Sequence, residues 1–407
     1  MSSPHPKTVS RRRVFYIPGY DPIHPRRYRE LYRKEGAAQA TISDYSLTLK
    51  PAPKGKHYGW QVDARIDGAM THADVKVLVW SDIVRNSMEA SIPGTYLQLA
   101  RTAWIYISSG ALRRLMHLRK GPVIAALYPV GMLIGQLLLA WLLWSLIWRA
   151  GAAIWPGVGS WLGAALGAVA FVALLRWFKS KDGKFFAYYL MHDYAYSAAS
   201  RGANPPALEA RMAAFGDSIA DALQSDVDEV LVVGHSSGAH LAVSVLADLI
   251  RAGRVPADGP ALGFLSLGQV VPMVSFLPDA YRLRADLRYL STRTELAWVD
   301  VTAPGDGCAF ALCDPVAVSG VAPDDKRWPL VFSAAFTQTL SAERWKALRW
   351  RFFRLHFQYL CAFDRPKDYD YFQITAGPVT LAQRYADRPP SKSRIDVAVS
   401  KYTSVAA

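Results

Sequence analysis

Charge is missing from two long stretches of this chain. Between Pro122 and Trp148 there is no Asp, Glu, Lys, Arg or His, and beyond Arg149 the same holds from Ala150 to Leu175. Each run exceeds the ~20 apolar residues that cross a bilayer core as a helix. The pair is therefore expected to form a transmembrane hairpin, with two buried core helices as the alternative. Cysteine is scarce as well: Cys308, Cys313 and Cys361 are the only three among 407 residues. That set forms neither a disulfide framework nor a metal pattern, and it fits small core residues in a reducing compartment. Gly-rich phosphate loops, dinucleotide fingerprints and His/Cys clusters are also lacking, so no cofactor and no metal is expected. The N-terminal MSSPHPKTVSRRR has no apolar run of the kind that directs export.

What is present in excess is positive charge, with a formal net charge of +14. No zinc-finger spacing, RNA-binding aromatic motif or helix-turn-helix signal accompanies it, so nucleic acid is not the expected partner. The basic residues sit beside the apolar runs instead. Arg113, Arg114, Arg119 and Lys120 precede them, and Arg176, Lys179, Lys181 and Lys184 follow, whereas the connecting turn carries only Arg149. Further basic clusters occur in PRRYRELYRK (25–34) and RWKALRWRFFR (344–354). Attraction to an anionic leaflet accounts for this pattern, and the positive-inside rule places both ends of the hairpin in the cytoplasm. Trp141, Trp144, Trp148, Trp155, Trp161 and Trp177 include several at the expected span ends, where indoles favour the interface. Neither span holds an internal charge, which argues against a transporter or channel.

Outside the hairpin, apolar β-rich runs alternate with helical patterns. Val14–Ile17, YSLTLK (45–50), WQVDARI (60–66), VKVLVW (75–80), Val230–Val233, ALGFLSLG (261–268) and ELAWVDVT (295–302) read as strands. Helices are expected after Pro25, over 95–120, in FFAYYLMHDYAYSAAS, over 207–224, over 238–250 and in SAERWKALRWRFFR. The alternation after residue 200 predicts an α/β fold with a mostly parallel sheet flanked by helices. Residues 1–10 are expected to be disordered. Residues 11–120 are expected to form the first part of the α/β domain with a basic juxtamembrane helix, and 121–178 the hairpin, with spans near 122–148 and 151–177. Residues 179–387 complete the domain, and the Pro/Ser/Lys-rich 388–407 is a flexible tail.

The strongest chemical signal is VLVVGHSSGAHLAVS, residues 230–244. An apolar strand leads into Gly234-His235-Ser236-Ser237-Gly238, and a helical pattern leaves it. A serine held in such a strand-to-helix turn is exposed for nucleophilic attack, and small flanking residues let the backbones approach. Ser236 is the expected nucleophile, and the Ser237 amide an oxyanion donor. A plain strand–turn–helix corner is the alternative.

Here the chain resembles the α/β-hydrolase family in its lipase and esterase branch, with a transmembrane hairpin inserted before the elbow. The resemblance implies that an acid and then a histidine follow the serine. Only His240 and His356 do so. His240 lies four residues along the departing helix, which leaves His356, in FRLHFQYL, as the implied general base. The implied acid is Asp306, on the turn beyond strand 295–302, with Asp314 as the alternative. The implied second oxyanion donor lies at Gly19–Tyr20 after the first strand, although the family's HGGG form is absent. Almost nothing precedes that strand, so the family's usual first two strands are missing or displaced. His192 and Asp193 precede the serine and are expected in a basic–aromatic interfacial patch. A membrane-anchored serine hydrolase acting on an acyl ester, lipid or small molecule, is the implied function. An acyltransferase or thioesterase with the same triad, or an inactive hydrolase-fold membrane scaffold, are the alternatives. The oligomeric state is not legible.

Overall fold

The computed structural model describes residues 8–53, 55–88 and 90–407. Eight strands build one mixed sheet: β1 (Arg11–Ile17), β2 (Ser46–Pro51), β3 (Gly59–Ile66), β4 (Ala69–Val77), β5 (Glu229–His235), β6 (Ala261–Leu267), β7 (Leu296–Thr302) and β8 (Leu330–Ser333). Their spatial order is β2-β3-β4-β1-β5-β6-β7-β8. The pairs β2–β3 and β3–β4 are antiparallel, and every other pair is parallel. Strands β2, β3 and β4, on one side of β1 in the sheet, thus follow it in the sequence instead of preceding it.

The central strands are apolar throughout because both faces are covered, as parallel sheets require. Alternate residues feed two cores. Phe15, Ile17, Val230, Val232, Phe264 and Trp298 face one; Val14, Tyr16, Leu231, Val233, Leu265 and Val299 face the other. The helices before the elbow are α1 (Arg26–Ser43), α2 (Ser81–Ser87), α3 (Ile92–Ser108), α4 (Ala111–Leu118), α5 (Lys120–Ile154), α6 (Val158–Ser180), α7 (Asp182–Phe185), α8 (Ala187–Ala199) and α9 (Pro206–Leu223); α10 (Ser237–Arg251) leaves the elbow. Met212, Phe215 and Ile219 of α9 and Leu241, Val245 and Leu249 of α10 cover the first face, while Tyr28 and Tyr32 of α1 cover the second. A buried ion pair between Arg12 and Glu229, 2.5 Å apart, ties β1 to β5 at their N-terminal ends. The remaining Arg12 donors are satisfied by the Gly377 and Val379 carbonyls, as a buried charge requires.

Helices α5 and α6 are long and apolar enough to cross a membrane, each with a mean hydropathy of 2.0 and with only 17% and 22% of their most apolar windows buried. Their bounds differ from the sequence expectation. Small residues at 150–153 continue α5 past Arg149, and the break falls at Trp155-Pro156-Gly157, where Gly157 takes φ 83°. Gly159, Gly163 and Gly167 form one stripe along α6 against α5. A side chain at Gly163 would strike the Ile147 and Trp148 carbonyls, and one at Gly167 would strike Trp144. This is the small-residue packing that lets apolar helices associate without a hydrophobic driving force.

Three further expectations are corrected. The stretch SAERWKALRWRFFR is not one helix: it breaks between Leu348 and Phe352 into two short helices, the second being Phe352–His356. Residues 388–407 have no helix or strand, yet they are laid against the body. Ile395 and Val399 pack beside a buried cluster, the Ile395 amide donates to Leu312, and the Val399 amide donates to Val318. At the other end, residues 1–7 lie outside the described residues, whereas Val9 is buried and its amide donates to the Pro378 carbonyl.

Candidate active site

The C-terminal ends of β1, β5, β6 and β7 meet in register: Ile17 lies beside Gly234, His235 beside Leu267, and Leu267 beside Val301. Clefts at the carboxyl ends of parallel strands are where such sheets bind ligands. Ser236 sits there between β5 and α10 with φ 55° and ψ −123°, a conformation a non-glycine residue holds only when its surroundings fix it. They do so here. The Ser236 amide donates to the Leu267 carbonyl at 2.9 Å. Gly238 lies so close to β1 that a Cβ there would stand 2.1 Å from the Ile17 carbonyl oxygen. Gly234 packs against Ala239 of α10 in the same manner.

The turn after β1 touches the serine. A Cβ on Gly19 would stand 3.0 Å from Ser236 Cβ and 3.4 Å from its Oγ. The turn is held by Trp80, whose Nε1–H donates to the Pro18 carbonyl at 2.9 Å. Tyr20 points its phenol away, to Ser87 Oγ at 2.5 Å, so only its backbone can serve the site. The amides of Tyr20 and Ser237 find no acceptor among the described residues, which leaves both for an incoming oxygen.

Asp306 and His356 are brought together: His356 Nδ1 lies 2.7 Å from Asp306 Oδ2. Both are buried. The other Asp306 contacts are the Cys308 amide, donating to Oδ1 at 2.9 Å, and the Tyr359 hydroxyl, donating to Oδ2 at 3.0 Å. Tyr359 is the residue three after the histidine, and its hydroxyl also accepts the Ala303 amide at the end of β7. His235 Nε2–H donates to the His356 carbonyl at 3.0 Å. Burial, and then the neighbouring His356, push the His235 pKa well below the usual imidazole value, so it acts as a neutral support. Nδ1 of His356 is occupied by the acid, and the opposite ring nitrogen is left for Ser236, which lines the same cavity. Between these described residues no Ser236–His356 hydrogen bond is formed; such bonds commonly tighten only when substrate binds.

Asp314 lies elsewhere. It caps the short helix Pro315–Val318 through the Val316 and Ala317 amides and pairs with Lys326 at 2.6 Å. Asp300, inside β7, is buried against Ser266 Oγ at 2.6 Å, and burial raises its pKa to about 8. His240 is buried in the cavity wall, lowered by that burial to about 4. The Sγ of Cys308 lies with the Asp306 carboxylate and the His356 imidazole inside a 4.8 Å cluster. However, the carboxylate is already committed to His356 and Tyr359, and burial raises the Cys308 thiol pKa well above its ordinary value. That donor set suits an acid–base pair better than a metal.

Asp193 departs from expectation. It does not lie in an outer patch; with Tyr189 and Ser197 it lines the cavity over Ser236. Burial raises its carboxyl to about 7, with His356 pulling the other way. The spacing 189, 193, 197 is one face of a helix, a signal present in the sequence but without meaning until α8 is known to roof the site. No known protein family, curated protein or solved structure matches this chain.

Proposed function

We propose that the chain is a membrane-anchored serine hydrolase of α/β-hydrolase type that cleaves acyl esters. One observation carries the reading: a serine at φ 55° on a strand-to-helix turn shares a cavity with a buried His356–Asp306 pair. Ser236 Oγ attacks the acyl carbon while His356 takes the hydroxyl proton. The carbonyl oxygen becomes an oxyanion held by the Ser237 and Tyr20 amides. As the tetrahedral adduct collapses, the ester C–O bond breaks and His356 returns the proton to the leaving alcohol. Water then repeats the sequence on the acyl-serine, releasing the acid and restoring the serine. Asp306 orients the imidazole and stabilises its charged form, and Tyr359 positions Asp306. Helices α5 and α6 anchor the domain in the bilayer in this reading, and the basic residues at their outer flanks support a topology with both termini on the cytoplasmic side.

The test is turnover of para-nitrophenyl acetate by the purified chain, compared with Ser236→Ala and His356→Ala. The reading expects release of para-nitrophenol by the wild type alone. Equal rates in all three proteins would remove it, and no turnover at all would favour the inactive scaffold.

A further inference from the structure

The cavity over Ser236 encloses only about 110 Å³. Ligand sites commonly run to about 300–1,000 Å³, so it has room for the reacting group and little more. A second, much more apolar cavity of about 710 Å³ adjoins it. The two share Leu190, Tyr194, Cys308 and Phe353 in their walls. The outer cavity is built from Gly121, Ile124, Ala125 and Tyr128 of α5 on one side and residues 350–354 on the other.

Its height along the hairpin follows from the glycine contacts. Gly163 abuts Ile147 and Trp148, and Gly167 abuts Trp144. Carrying that antiparallel register down one residue for one, the end of α6 at Ser180 faces α5 near Gly131. The first turns of α5 therefore overhang its partner, and every α5 residue in the outer cavity belongs to that overhang. By the same register Arg176 and Lys179 face α5 near residues 135 and 132, just above the overhang. Lys181 and Lys184 lead to Phe185, whose carbonyl accepts the Tyr128 hydroxyl beside the chamber; cations cluster in this way at a headgroup layer. Arg351 and Arg354 line the mouth, and Ile124, Trp350 and Phe352 are exposed around it. An apolar chamber opening beside that cationic layer on its domain side, walled by the first turns of α5 and sharing its inner wall with the serine cavity, suits a hydrocarbon chain drawn from the membrane.

We infer that this outer cavity is a lateral entrance through which the acyl chain of an ester lipid passes from the bilayer beside α5 to Ser236. The inference rests on the membrane-anchored hydrolase reading. The scissile carbonyl sits in the inner cavity and its chain in the outer one, past Leu190 and Phe353.

The full chain is reconstituted in phosphatidylcholine vesicles containing phosphatidylglycerol. Turnover of para-nitrophenyl palmitate, which resides in the vesicles, is compared with that of the water-soluble acetate. Ala125→Trp fills the outer cavity; Ala126→Trp places the same bulk one residue on, outside the residues lining it. Because each excluded chain methylene weakens binding in an apolar pocket, the palmitate-to-acetate ratio should fall about tenfold or more in A125W and stay within about twofold of wild type in A126W. Ala125→Leu is the smaller obstruction to use should the tryptophan variant fail to fold. A ratio unchanged in a folded A125W or A125L that still turns over acetate overturns the entrance and leaves the hydrolase standing. A wild type that cleaves neither ester overturns the reading beneath it and the entrance with it.

Discussion

The elbow and the hairpin both depend on glycines that let two backbones touch, but they use the contact differently. At the elbow, Gly238 brings α10 against the end of β1, among residues that are almost wholly buried. The contact there serves position: it sets Ser236 in a strained turn beside Gly19. In the hairpin, Gly163 and Gly167 bring α6 against α5 while Leu166 and Val169, outside that stripe, remain 64% and 68% exposed. The contact there serves association, and the apolar outer face stays uncovered. The same residue thus serves the candidate site in one place and a pair of membrane-length helices in the other, and what separates them is whether the surrounding apolar surface is covered.

That contrast can be broken most severely at the serine. Ser236→Ala should cut ester turnover by roughly 10⁶-fold while leaving the melting temperature near that of the wild type. A large loss of stability would mean that the hydroxyl is structural. Next come the two glycines, tested as a pair. Gly238→Ala must displace the Ile17 carbonyl and should cost about 3 kcal/mol, abolishing acetate turnover. Gly163→Leu should separate α5 from α6, so that the protein washes from membranes or aggregates in mild detergent, yet what remains folded should still cleave acetate. If G163L silenced the site as fully as G238A, anchor and site would not be separable.

A subtler change probes the acid. Tyr359→Phe deletes one hydrogen bond to the Asp306 carboxylate, of the charged kind worth about 1.5–3 kcal/mol. Acetate kcat should drop by about tenfold with KM little changed, and a rate equal to wild type would remove Tyr359 from the support of the acid. The smallest effect is expected at Asp193. Burial raises its carboxyl to about 7, above the roughly 3.9 of an unfolded aspartate. Folding therefore favours the protonated form, and the stability this contributes is lost as pH rises from about 4 through about 7. Against Asp193→Asn, which does not titrate, the wild-type melting temperature should fall by a few degrees over that window. Parallel curves would contradict the placement of Asp193 in a dehydrated wall.

Much of this was legible in the sequence, and the reason differs from element to element. Ser236 carried a local signature, since strand, turn and helix are contiguous. His356 and Asp306 lie fifty residues apart, and the resemblance nominated them; the structure then brings their side chains to 2.7 Å. The choice of Asp306 over Asp314 was open because both lie in the loop region that follows β7, and only three-dimensional placement shows Asp314 spent on a helix cap and Lys326. Strand order was illegible, since β1 pairs with β4 and β5 across long sequence separations that no local pattern encodes. Strand β8, four residues long, gave too short a run to notice. The role of Asp193 depends on where α8 lies relative to Ser236, which is a tertiary fact. The tail misled for a similar reason: its composition is polar, but Ile395 and Val399 are enough to fix it to the body.

Everything proposed for the cavity turns on Ser236, and no other residue, being the activated nucleophile. The most direct test is to treat the intact chain in vesicles with a fluorophosphonate and locate the adduct by peptide mass spectrometry. One adduct is expected, on Ser236, absent from S236A and strongly slowed in His356→Ala. An adduct that persists in S236A, or a wild type that takes none, would contradict that assignment.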